Sequence, residues 1–160
     1  MKNKLVFEVN FLGLGIDEES FVRKNRLDQT NLTLISYRVW WSEVVFRCPA
    51  FTLDISAYAI DFLFWIVEAL DVISAGGSID LTMTGSGDTV SFVQVADWVT
   101  VSLDRGSIEV ERAELVRDFS ECAAAAFTKV VGRYPDLGKR PELQALSRRI
   151  DRLRSGRVAE

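Results

Sequence analysis

"SIDLTMTGSGDTVSFVQVADWVTVSLDRGSIEVE", residues 78–111, decides the fold class. Four short runs alternate apolar with polar residues, as strands with one wet face do. "GSGD", "AD" and "RG" join them at lengths suited to hairpins. The stretch therefore predicts an antiparallel meander. Successive strand residues point to opposite faces, so Ile79, Leu81, Met83, Val99, Val101, Leu103, Ile108 and Val110 face the core. Asp80, Thr82, Trp98, Thr100, Ser102, Asp104, Glu109 and Glu111 then face outward.

On its C-terminal side the pattern changes to a helical period. A helix is expected from about Arg112 to Arg133, buried through Leu115, Phe119, Ala123, Ala126 and Val130. "YPDLGKRP" breaks it, and a last helix over about 141–154 carries Leu143, Leu146, Ile150 and Leu153 on a narrow seam. Arg148, Arg149 and Arg152 point outward from that helix, and residues 155–160 are expected to fray.

On the N-terminal side lies a long apolar segment, read as one helix from about Thr52 to Ser74 and stopped by "SAGG". Asp54, Asp61 and Glu68 recur every seven residues along it, with Asp71 beside them. Residues 55–73 are long enough to cross a bilayer, but three of these acids lie inside, each costly at mid-membrane, so a buried helix is expected. Further upstream, "KLVFEVNFL" (4–12) reads as a half-buried strand, and residues 13–31 as a long polar connection with a helical turn from Asp17. A second strand is expected over about 32–41, with Tyr37, Val39 and Trp41 toward the core and Arg38 and Trp40 on the open face. The alternation breaks at Ser42–Glu43, where a bulge or tight turn is expected, followed by a short strand "VVFRC" that Pro49 ends. Together these elements predict a single α+β domain over 1–160. Its antiparallel meander sheet carries two long helices and a short basic C-terminal helix packed mainly on one face.

Composition removes whole classes of chemistry. The 160 residues contain no histidine, which eliminates Ser-His-acid and Cys-His catalysis and histidine metal sites. Cys48 and Cys122 form no framework: Cys122, in "SECAAAAF", reads as a small hydrophobe, and Cys48 closes a strand just before Pro49. Acids seven residues apart on a helix stand roughly 10 Å apart, too far for one ion. "TGSGDT" lacks the lysine and following helix of a phosphate loop. No catalytic residue, metal or cofactor is expected, and the chain reads as cytoplasmic. Residues 1–128 hold 10 Lys/Arg against 19 Asp/Glu, and residues 129–160 hold 9 against 4. The acidic body would repel a polyanion, so the basic tail is expected to dock on it, or simply to be solvated, rather than hold nucleic acid.

What remains is the open face. Arg38, Trp40, Asp80, Thr82, Trp98, Thr100, Ser102, Asp104, Glu109 and Glu111 are the candidate contact residues, since tryptophan among polar groups is the composition of a binding hot spot. The plainer alternative is a solvated face whose tryptophans are partly covered by residues 13–31.

Four stretches carry a family resemblance: "ISYRVWW" (35–41), "VVFRCPAF" (44–51), "LDISAYAIDFLFWIVEAL" (53–70) and "WVTVSLDRGSIEVERAELVRDF" (98–119). Their order resembles that of small bacterial immunity proteins, the antidotes of polymorphic and contact-dependent toxins. The resemblance implies a non-enzymatic inhibitor that binds a cognate protein toxin, and the acidic charge would suit a basic nuclease. It assigns no functional residue. The alternatives are an interaction module with no toxin partner, and a histidine-free enzyme or small-ligand binder.

Overall fold

The computed structural model describes residues 4–11, 16–38, 41–49, 51–83, 86–104 and 106–156; of residues 16, 17, 37, 38 and 41 the backbone alone is described. The meander forms as its alternation dictates. Strands β4 (Ile79–Thr82), β5 (Thr89–Val95), β6 (Trp98–Leu103) and β7 (Gly106–Glu111) pair antiparallel in sequence order. Leu81, Met83, Val99, Val101, Leu103, Ile108 and Val110 are buried and Ile79 is half-buried.

The N-terminal half makes a separate sheet. Strands β1 (Val6–Phe11), β2 (Trp41–Arg47) and β3 (Thr52–Tyr58) pair antiparallel in that order. Three expectations are corrected here. Residues 32–38 are a short helix, α2 (Leu32–Arg38), not a strand. Two helical turns suffice because Ile35 and Ser36 bury against the body, and Asn31 caps the helix by accepting the Leu34 N–H at 3.2 Å. β2 also runs without a bulge, its register unbroken from Trp41 opposite Tyr58 to Arg47 opposite Thr52. The alternation never fails at Ser42, because Ser42 is itself wholly buried, on the same face as Val44 and Phe46. Finally, residues 52–58 belong to β3, and the helix begins only at Ala59. Ile55 and Ala57 are buried at period two, which the seven-residue spacing of Asp54, Asp61 and Glu68 conceals.

That helix, α3 (Ala59–Ser74), buries nine residues, from Ala59 to Ile73, and so is covered on most of its surface. It ends at Gly76, whose φ of +89° suits a residue without a Cβ. Helices α4 (Arg112–Arg133) and α5 (Pro141–Arg154) lie where their periods place them, with all nine expected core positions buried. α4 packs against α3, α5, β1, β6 and β7. Its Phe119 ring meets Phe7 and Phe46 of the first sheet, at 5.1 and 6.2 Å, and Phe92 of the second at 6.3 Å. One residue thus joins both sheets to the helical layer. The sheets also approach where the Phe51 ring fills the space beside Gly106, 3.3 Å from where a Cβ would stand. The class is α+β, with the helices on the inner faces of the strands.

The connection 13–31 holds α1 (Ile16–Lys24) and is anchored from the far end of the chain. The buried Glu18 carboxylate accepts the Tyr134 hydroxyl at 2.7 Å. Arg140, also buried, donates to the carbonyls of Leu27 (3.0 Å) and Thr30. No helix among the described residues is long and apolar enough to cross a membrane.

Candidate partner-binding face

The strands of the second sheet place their odd and even residues on different sides, and the register then fixes neighbours across strands. On the wet side Asp80 lies opposite Ser91, Ser91 opposite Ser102 and Ser102 opposite Ser107. The next row holds Val93, Thr100 and Glu109, and the row beyond it Val95, Trp98 and Glu111. Hydroxyl bonds knit the first part of this face: Ser91 donates to Asp80, and Thr82 and Thr89 share a bond at 3.1 Å. The other end is apolar. Val93, Val95 and Trp98 are 48, 68 and 53% exposed.

Eight of the ten candidate residues therefore lie on this face or at its rim. Asp80, Thr82, Trp98, Asp104, Glu109 and Glu111 are exposed, and Thr100 and Ser102 are half-buried. Of the other two, only Arg38 lies among the described residues, and it does not join them on a strand. Arg38 ends α2, contrary to its expected place on the open face beside Trp40, because residues 32–38 are helical. Trp40 and Val39 lie outside the described residues, as do the side chains of Tyr37 and Trp41.

Val93 and Val95 join the face without having been expected there. The signal was present: the two-residue link "AD" makes Val95 the partner of Trp98, and alternation then brings Val93 beside Thr100. The tip of this hairpin is held firmly. Ala96 has φ +54°, the Arg112 N–H donates to the Asp97 carbonyl at 2.8 Å, and the Arg112 guanidinium reaches the Asp97 carboxylate at 3.2 Å.

The other polar clusters serve packing. Arg149 clamps Asp71 through two hydrogen bonds, 2.6 and 2.9 Å, Arg152 adds a third at 3.3 Å, and Arg154 reaches Glu121 at 3.0 Å. The basic last helix is thus docked on acids of α3 and α4. The seven-residue acidic stripe is dispersed. Asp54 stands on β3, Asp71 is clamped, and Asp61 is half-buried, where desolvation raises its pKa against a hydrogen bond from Ser36. Burial likewise pushes the Cys122 thiol up, opposed by a backbone hydrogen bond from Phe7, so it is a poor nucleophile. Among the described residues no three acids or cysteines gather as metal ligands. A cavity of about 310 Å³ between β3 and the turns flanking β5 and β6 has Asp54, Asp88 and Asp104 in its wall.

No family model matches the chain, and neither a curated protein nor a solved structure matches it.

Proposed function

We propose that this protein is a non-enzymatic inhibitor that works by binding another protein, an immunity protein that neutralises a bacterial toxin. The observation that carries the reading is the Val93–Val95–Trp98 cluster, left in solvent on a sheet whose other face buries Leu81, Val90, Phe92, Val99, Val101 and Val110. A domain that buries its apolar residues this thoroughly and leaves an aromatic with two valines outside, on one contiguous patch, has the surface of a binding protein. Catalysis lacks comparable support. The chain has no histidine to act as a general base near neutral pH.

The test is functional. The products of the genes flanking this one are expressed singly in a bacterial host, with and without this chain. The reading expects one of them to arrest growth and the chain to restore it while forming a stoichiometric complex with that product. Growth arrest that the chain does not relieve, or no toxic neighbour at all, counts against it.

A further inference from the structure

The acidic charge of the chain is concentrated on one of its two sheets. Residues 78–111 hold six Asp/Glu against one arginine, a net of −5, whereas the rest hold 18 Lys/Arg against 17 Asp/Glu. On the wet face of this sheet Glu109 and Glu111 flank the exposed Val93 and Trp98, Asp80 lies diagonal to Val93, and Asp97, paired with Arg112, holds the turn beside Val95 and Trp98, while Asp88 and Asp104 stand at the far end of the strands.

We infer that this face is a docking surface whose occupant is a basic protein, one that takes Trp98 and Val95 into an apolar socket rimmed by lysine or arginine. The inference rests on the protein-binding reading above and adds the place and chemistry of contact. Among the described residues, three of the four exposed large hydrophobics lie here, and the register makes them cross-strand or diagonal neighbours. An aromatic anchor beside aliphatic side chains, enclosed by a polar rim, is how binding energy concentrates in an interface. The anchor is also pre-set. Ala96 occupies the left-handed region that favours glycine, and strain of this kind gathers at recognition sites. Arg112 pins the turn through two contacts to Asp97, and the Gln94 side-chain amide donates to the Ala96 carbonyl at 3.1 Å. A stiff hairpin gives up little freedom when it is bound. Sign then selects the occupant. A second copy would bring acid against acid, which opposes association, whereas a basic surface is attracted from a distance.

The experiment pans a phage-displayed library of random peptides on the immobilised full chain, then titrates the enriched peptides by fluorescence anisotropy against the chain and its variants. The expected peptides carry net positive charge and an apolar residue. Trp98→Ala and Val95→Ser should weaken them by roughly thirty-fold, Glu109→Lys and Glu111→Lys should also weaken them, and Leu34→Ala, exposed on α2, should not. Thermal melts confirm that each variant is folded. Enriched peptides without excess positive charge, or peptides that bind Trp98→Ala as well as they bind the parent chain, overturn the inference. So does a dimer in sedimentation that Trp98→Ala dissolves, since the occupant is then a second copy. If basic peptides map to this face while no flanking toxin is neutralised, the surface stands and the inhibitor reading fails. If a toxin is neutralised and its binding ignores all four face substitutions, the inhibitor reading stands and the surface fails.

Discussion

Phe119 and Trp98 are both aromatic, and their surroundings give them opposite roles. Phe119 is wholly buried between two sheets, touching Phe7, Phe46 and Phe92. Phe119→Ala should cost about 3–5 kcal/mol, because the void lies where both sheets meet α4 and cannot collapse from one side. Chemical denaturation measures it, and a loss below about 1 kcal/mol would show that the sheets do not depend on this ring. Ala96 sits two residues before Trp98 with an exposed side chain and φ +54°. An L-residue there costs roughly 1–2 kcal/mol, partly offset by the greater chain entropy that glycine brings to the unfolded state. Ala96→Gly is therefore expected to stabilise by about 0.5–1 kcal/mol, read as a higher midpoint in urea. An unchanged or lower midpoint would mean that the turn carries no strain. At this scale the sequence was legible wherever alternation was clean. It placed the buried residues of β4, β6 and β7 and their exposed neighbours, and it missed Val93 and Val95 only because β5 was not carried through its hairpin to Trp98.

Elements are held by a few long-range polar contacts as well as by packing. α1 is tied to the end of α4 by Glu18, which accepts from Tyr134, with the Arg133 guanidinium 3.9 Å away. Partial burial and then the Glu18 carboxylate push the Tyr134 phenol up to about 12, against a smaller downward pull from Arg133. The folded protein holds this proton more tightly than the unfolded chain, whose tyrosines titrate near pH 10. The contribution is fully present below pH 10 and is lost as pH rises toward 12. Tyr134→Phe should remove that alkaline loss while leaving the rest of the pH–stability curve in place, and an identical alkaline slope in the variant would refute it. Contacts of this range are invisible in sequence, since Glu18 and Tyr134 are 116 positions apart. The same limit explains the misread elements. α2 has only seven residues, and the alternation of Thr33, Ile35, Tyr37, Val39 and Trp41 fits a strand until the body that buries Ile35 and Ser36 is known. Residues 52–74 present one largely apolar run, broken only by spaced acids and small polar residues, in which the change from β3 to α3 at Tyr58 leaves no glycine or proline to mark it. α4 and α5 were legible to the residue because a long period-3.6 pattern and flanking prolines leave no competing register.

For the whole molecule, two sheets share one helical layer, and they differ in charge. The second carries the net negative charge and turns it to solvent around an apolar cluster. This arrangement was half legible. The outward residues of β4, β6 and β7 could be named from alternation, whereas Arg38 was assigned to the face through a strand that is a helix. Whether the face serves binding or merely solvation turns on Trp98, which is 53% exposed, so that its loss leaves no enclosed void. The most direct measurement pairs the thermal melt of Trp98→Ala with its ability to protect a host from the toxic flanking product. A binding face predicts a melt within the span of a typical surface substitution, about 0.5 kcal/mol, together with loss of protection. A variant that protects as well as the parent chain, or one that unfolds, would contradict it.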